Sequence, residues 1–176
     1  MTRSERSERS PEQAKRVEGY SVAVLTISDK CSKGQREDES GKIVQDIIKN
    51  LPGDVVKYEI IPDEPEMIKE RLKNYCDELK VDLVLTNGGT GFTTRDVTPE
   101  ATKEVIEKEV PGIPEAMRTL CLGLTKRAML SRGISGIRGK TLILNLPGST
   151  RGAKESLEAV LEGLPHGLDM VVGREH

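Results

Sequence analysis

Three stretches of this chain are apolar and rich in β-branched residues with almost no alternation: Tyr20-Ser21-Val22-Ala23-Val24-Leu25-Thr26-Ile27, Val81 to Thr86, and Lys140-Thr141-Leu142-Ile143-Leu144-Asn145-Leu146. A strand with one wet face alternates polar and apolar residues, so runs like these belong to strands covered on both faces. The segments between them supply the cover. Ile43, Val44, Ile47, Ile48 and Leu51 recur at helical spacing before Pro52-Gly53. Val55 to Ile61 then reads as a further strand, and Ile68, Leu72, Tyr75, Cys76 and Leu79 stripe a second helix. Ala101, Val105 and Ile106 give a third helix its apolar side, and Leu157, Val160, Leu161 and Leu164 mark a last one. Pro111 to Leu130 reads as helix broken by Pro111, Gly112, Pro114 and Gly123. Strand, crossover helix and strand, repeated, predict an α/β fold: a three-layer sandwich on a mainly parallel sheet.

At 176 residues the chain has the size of one domain, which buries roughly two-thirds of its unfolded surface and needs no metal or disulfide staple. Residues 1–19 are mostly Ser, Glu, Arg and Lys. They cannot repay the entropy of ordering, which predicts a disordered N-terminal tail before a single domain over 20–176. The 27 basic and 29 acidic residues are interspersed, with a net charge of -2, so no nucleic-acid footprint is expected. Cys31, Cys76 and Cys121 form no C-x-x-C pair, which argues against both a disulfide framework and a zinc site and predicts three reduced thiols. No apolar run approaches the roughly 18 residues that span a bilayer, and no secretion signal opens the chain. A cytoplasmic protein without a membrane partner is expected.

In parallel sheets ligands lie beyond the carboxyl ends of the strands. That rule collects Ser28-Asp29, Ile61-Pro62-Asp63, Thr86 to Asp96, and Pro147-Gly148-Ser149 at one edge. The third loop is the most informative. It runs Thr86-Asn87-Gly88-Gly89-Thr90-Gly91-Phe92 and continues through Arg95-Asp96-Val97-Thr98-Pro99-Glu100. One glycine would serve a plain strand-to-helix turn; three, beside a cation and a carboxylate, point to close approach of a ligand. Thr98 is expected as N-cap and Pro99 as the first helical residue, with backbone N–H groups of the turn and the helix start facing phosphate oxygens.

Two rival phosphate motifs fail. Gly139-Lys140-Thr141 has the tail of a Walker A signature, but Ile134 stands where its first glycine is needed, and a strand follows where a helix is required. Gly89 and Gly91 begin a dinucleotide fingerprint that Thr94 breaks. Histidine chemistry has few carriers, since only His166 and the terminal His176 are present, and His166 reads as a helix-start or packing residue. Carboxylates, hydroxyls, glycine amides and cations remain, which is the set that positions phosphates through Mg²⁺. Asp63 is either a ligand-facing acid or the N-cap of a capping box closed by Glu66. Asp96 is either a second such acid or the ion-pair partner of Arg95. Asp29 and Asp38 read as loop caps, and Phe92 as a staple holding its loop to the body.

Taken together, Thr86-Asn87-Gly88-Gly89-Thr90-Gly91, Arg95-Asp96-Val97-Thr98-Pro99-Glu100-Ala101 and Gly139 to Ser149 resemble the molybdopterin adenylyltransferase family, whose domain fold is that of the molybdenum-cofactor-binding proteins. Ile27-Ser28-Asp29, Asp38-Glu39-Ser40-Gly41, Pro62-Asp63-Glu64 and Leu130-Ser131-Arg132 fall in the same order as that family's motifs. The match spans about Tyr20 to Gly173.

The resemblance implies a homotrimer in molybdenum cofactor biosynthesis that takes ATP and molybdopterin as substrates with Mg²⁺, transfers AMP to the pterin phosphate and releases pyrophosphate. It also implies a downstream molybdate-insertion protein as a possible partner. By the same resemblance Asp63 and Asp96 would be the catalytic, metal-holding acids. Gly88, Gly89, Thr90 and Gly91 would hold the nucleotide, with Ser28, Asp29, Thr86, Arg95 and Arg132 at the same site. Ser131 and Asn145 to Ser149, including Pro147 and Gly148, would meet the pterin. The alternative is a paralogue that binds molybdopterin without adenylylating it; Asp63 and Asp96 together favour catalysis.

Overall fold

The computed structural model describes residues 19–174. The tail expected over 1–19 lies, Gly19 apart, outside the described residues. Four strands run parallel: β1 (Tyr20–Ile27), β2 (Gly53–Ile61), β3 (Leu83–Asn87) and β6 (Thr141–Leu146). Two more, β4 (Lys108–Glu109) and β5 (Ser135–Arg138), extend one edge antiparallel, giving the order β2-β1-β3-β6-β5-β4. The mainly parallel sheet expected from the sequence is present. The β5–β6 hairpin is not legible in the sequence, because Ile134 to Arg138 is too short and too polar to read as a strand.

The unbroken apolarity of the central strands has a direct cause. Val22, Val24, Leu83, Leu85, Leu142 and Leu144 pack on one side of the sheet against α2 (Glu39–Ile48), α6 (Thr150–Val160) and α7 (Leu164–Val172). Their neighbours Ala23, Leu25, Val84 and Ile143 point the other way, against α3 (Pro65–Lys73) and α4 (Thr98–Val105). Alternate residues therefore enter two separate cores, and both must be apolar. Together the layers make the predicted three-layer sandwich.

Two local expectations give way, and a third, the interrupted helix after Pro111, is met. Leu79 belongs by its spacing to the apolar stripe of α3 but is 48% exposed. The helix passes into a π turn over Asn74–Glu78, whose wider winding keeps Tyr75 and Cys76 inward and turns Leu79 out. The stripe from Leu157 to Leu164 divides between α6 and α7. The broken helix after Pro111 resolves into α5 (Gly112–Leu122) and a 3-10 turn over Lys126–Leu130. The short α1 (Asp29–Ser32) follows β1 directly.

Strand register brings the loops level. Ile27 pairs with Ile61, Thr26 with Asn87, and Asn87 with Leu146. Ser28, Pro62, Gly88 and Pro147 therefore begin their loops side by side along one edge of the sheet.

Candidate functional site

The glycine turn after β3 is set by steric necessity. Gly88 and Gly89 have φ of 110° and 68°, a region where side chains are strained. A Cβ on Gly88 would lie 2.1 Å from the Ile27 carbonyl oxygen, and one on Gly148 would lie 3.1 Å from the Gly88 Cα. The turn is thus pressed between the end of β1 and the loop after β6, and the Gly88 N–H donates to the Leu146 carbonyl at 3.1 Å.

The helix that follows corrects the expected anion site. Val97 is its N-cap, without a side-chain bond, and Thr98 is already helical. The Thr98 N–H donates to the Gly89 carbonyl and the Ala101 N–H to the Val97 carbonyl. Pro99 has no N–H. With the Thr98 and Ala101 donors already used inside the fold, a phosphate finds little there. The Thr98 hydroxyl, in contrast, is buried and unpartnered among the described residues. It lies 2.1 Å from where a Gly89 Cβ would stand, with Asp63 Oδ1 3.3 Å from the same point.

Asp63 is no N-cap: Glu64 takes that position in α3 without a side-chain bond. Asp63 Oδ2 instead accepts the Asp29 N–H at 2.9 Å, and Asp29 Oδ1 accepts the Asp63 N–H at 3.0 Å. Burial pushes the Asp63 carboxyl up from the ordinary range. The Asp29 and Asp96 carboxylates add to the rise, while the Asp29 N–H and Arg95 oppose it. Arg95 does not pair with Asp96. Its guanidinium forks onto both oxygens of Asp29 at 3.0 Å and reaches Glu64 at 2.8 Å, which holds Asp29 below the usual carboxylate range. Asp96 is fixed locally, its Oδ2 accepting the Thr93 N–H and hydroxyl at 2.9 and 2.8 Å.

Beyond Gly91 the site opens into a cavity of about 650 Å³. Thr90, Gly91 and Asp96 form one wall, Ser131 another, and Pro147, Gly148 and Ser149 at the start of α6 a third. Ser149 caps α6 by accepting the Gly152 N–H at 3.0 Å, so the positive end of an eleven-residue helix faces this space. Arg118, Arg127 and Arg151 line it against Asp96 and Glu155. The balance favours an anionic guest.

The family model described as "Probable molybdopterin binding domain" matches residues 23–166. The chain belongs to the molybdopterin-binding family. It is 45% identical over 154 residues to the molybdopterin adenylyltransferase of Helicobacter pylori strain J99, covering 86% of this chain and 88% of that one. The enzyme of the same name from Escherichia coli K12 is 40% identical over 141 residues, covering 79% and 72%. Gephyrin of Dictyostelium discoideum is 42% identical over 170 residues, spanning 91% of this chain but 24% of gephyrin. Among solved structures, MoaB of Thermus thermophilus superposes with a TM-score of 0.85 at 52% identity, covering 88% of this chain and 98% of that one.

The molybdopterin-binding domain divides the expected site residues into three groups. Thr90, Gly91, Asp96, Ser131, Pro147, Gly148 and Ser149 line the cavity. Ser28, Asp29, Asp63 and Arg95 flank the glycine turn outside it, joined through the Asp29 bonds and by the Ser28 cap on α1. Thr86, Arg132 and Asn145 are not part of the cavity's lining. Thr86 and Asn145 are fully buried, and the Asn145 amide donates to the hydroxyls of Thr86 and Thr102 while its oxygen accepts the Ile134 N–H. Arg132 spends its guanidinium on the Gly91 and Asp96 carbonyls, at 2.7 and 2.8 Å, and on Glu100. Phe92 is no staple, being 70% exposed.

Sequence reasoning missed Arg118, Met117 and Cys121 on α5 and Arg127 on the 3-10 turn. None follows a strand, so the strand-end rule passes over them. It also undervalued Asp38. Besides capping α2 through the Gly41 N–H, this buried carboxylate accepts from Thr26, Ser40 and Tyr58. Burial would raise it, but these donors outweigh burial and hold it low. Ser40 in turn accepts from the Asn87 amide at 2.8 Å, so the network braces the residue that enters the glycine turn.

Proposed function

We propose that this chain is a molybdopterin adenylyltransferase that acts in molybdenum cofactor biosynthesis. One arrangement carries the reading: Asp63 and Asp96 flank the two ends of a glycine turn that opens onto a cavity rich in arginine. Thr90 and Gly91 offer a wall for the nucleotide, and Ser131 with Pro147 to Ser149 offers one for the pterin. The terminal phosphate of molybdopterin has a second pKa near 6 and is largely dianionic at pH 7. It therefore attacks the α-phosphorus of ATP without a general base. A P–O bond forms at the α-phosphorus, the α–β bridging bond breaks, and pyrophosphate leaves.

Among the described residues no three His, Cys, Asp or Glu side chains are grouped to cage a metal. That suits Mg²⁺, which is commonly held by one or two carboxylates together with substrate phosphates and water. Asp63, and Asp96 across the turn, would hold it, and it would neutralise charge on the departing pyrophosphate. Arg118, Arg127 and Arg151 offset the remaining charge.

The reading also carries a homotrimer, a cytoplasmic location, and onward transfer of product to a molybdate-insertion protein. No helix among the described residues is long and apolar enough to cross a membrane. Size by light scattering checks the trimer. The decisive test mixes the protein with molybdopterin, ATP and Mg²⁺. Adenylated pterin and stoichiometric pyrophosphate are expected, both abolished by chelator; pterin binding without product from the folded protein overturns the reading.

A further inference from the structure

Among the described residues most arginines hold a carboxylate at ion-pair distance: Arg71, Arg95, Arg132, Arg138, Arg151 and Arg174. The others do not. Arg118 and Arg127 line the cavity, which leaves Arg36, on the loop between α1 and α2. It is exposed, and its side chain makes one hydrogen bond among the described residues, from Nη2 to the Ser28 hydroxyl at 3.3 Å. A guanidinium carries five N–H donors, so most of this one is unspent. Ser28 fixes where that charge stands. It follows β1 directly, its N–H donates to the Ile61 carbonyl at 2.9 Å, and register sets it beside Gly88. We infer that Arg36 binds the β- and γ-phosphates of ATP and, after transfer, the departing pyrophosphate.

The order of the strands selects the distal phosphates over the other anions. Displacement at phosphorus sets the attacking and leaving oxygens roughly in line. In the order β2-β1-β3-β6 the glycine turn after β3 lies between the loop after β1 and the loop after β6. Pro147, Gly148 and Ser149, after β6, wall the cavity, so a pterin phosphate enters from that side. With the α-phosphate at the turn, the leaving group points the opposite way, toward β1, where Ser28 holds Arg36. The other guanidinium on that side is committed, since Arg95 pairs with Asp29 and Glu64. Those two carboxylates and Asp63 make the edge acidic, and phosphates brought there need a cation beside them. A guanidinium fork suits phosphate oxygens. Its exposure keeps the grip modest, which fits a product that must be released.

The inference rests on the proposed adenylyl transfer, and the experiment separates the two. Binding of inorganic pyrophosphate, AMP and molybdopterin is measured by calorimetry in Mg²⁺ buffer for wild type, Arg36→Gln and Arg36→Lys, and adenylylation by wild type is assayed in parallel. Arg36→Gln is expected to weaken pyrophosphate binding about tenfold or more, while AMP and molybdopterin bind as they do to wild type, which also shows that the variant is folded. Arg36→Lys should lose less, because phosphate also accepts a point charge. Wild type that fails to bind pyrophosphate, or Arg36→Gln that binds it as tightly as wild type, overturns the inference. Equal loss of AMP overturns it too, since a residue that only braced Ser28 and the turn would cost every nucleotide alike. So does a loss confined to molybdopterin, which would put Arg36 on the acceptor side. If Arg36→Gln loses pyrophosphate selectively but wild type makes no adenylated pterin, the functional reading fails and the anion site stands.

Discussion

Asp29 and Asp63 each accept the other's backbone N–H, at 2.9 and 3.0 Å. The exchange ties the end of β1 to the end of β2 and sets two carboxylates side by side, with Arg95 on Asp29 alone. Asp63 is left buried with its pKa raised above 3.8. Between 3.8 and that raised value the folded chain binds more protons than the unfolded one, so stability falls as pH rises through the window, and the loss persists at pH 7. Asp63→Asn keeps an acceptor and removes the charge. It should raise the unfolding temperature at pH 7 and leave it unchanged well below pH 3.8, measured by calorimetry. Under the proposed function the same variant loses about a hundredfold in kcat with a smaller loss of pterin binding, followed by pterin fluorescence and pyrophosphate release.

Asp29 has the opposite sign. Arg95 lowers its pKa below 3.8, so its contribution is present above 3.8 and disappears as pH falls through the lowered value. Asp29→Asn is therefore expected to lower the unfolding temperature at neutral pH, with the deficit closing in acid. A deficit independent of pH in the same scans would contradict the Arg95 pairing.

Gly89→Ala tests the turn. The left-handed backbone at φ 68° costs a side chain roughly 1–3 kcal/mol, and the new methyl would stand 2.1 Å from the Thr98 hydroxyl. Denaturant unfolding should show at least that loss, and nucleotide binding should fall with it. Gly112→Ala is the control, because nothing lies within 4 Å of its added Cβ; it should change stability by about 0.5 kcal/mol or less.

The three cysteines are free and buried. Burial pushes the Cys76 thiol up to about 11, and burial raises Cys121 as well. Reagents attack the thiolate, which is scarce in both. All three should resist a disulfide reagent at pH 7.5 in the folded protein and react together after unfolding. Rapid native labelling of Cys76 would contradict its placement in the core beneath the sheet.

Much of the architecture was legible because it rests on local pattern. Val22 to Leu25 is apolar at every position, since successive side chains enter different cores, and that reads directly as a doubly covered strand. The strand-end rule put Asp63, Asp96 and Ser149 at one edge of the sheet for the same reason: register alone brings those loops level. The rest depends on partners distant in sequence. Nothing around Arg118 says that α5 will fold back over the loop after β6. Thr98-Pro99 reads as a capped helix start, and only the Gly89 carbonyl reveals that the Thr98 N–H is used up. Arg95 beside Asp96 reads as a pair, yet Asp29, 66 positions away, outcompetes the adjacent residue because it presents two oxygens to the fork of the guanidinium.

Arg132 gives the last prediction, since the reading of it as a ligand-facing cation and the observed geometry disagree on what its loss would do. Its guanidinium donates to the Gly91 carbonyl at 2.7 Å, the Asp96 carbonyl at 2.8 Å and the Glu100 carboxylate, while its N–H donates to the Thr90 carbonyl. These acceptors lie on the wall of the cavity and the helix behind it, so Arg132 holds the wall in shape. Lysine cannot reproduce several bonds in a fixed fork. Arg132→Lys should therefore resemble Arg132→Ala in raising KM for ATP and speeding amide exchange from Thr90 to Asp96. A direct charge role predicts otherwise, with lysine preserving much of the affinity. Exchange mass spectrometry on the protein without ligand separates the two, because only loss of the brace loosens that loop before any substrate arrives.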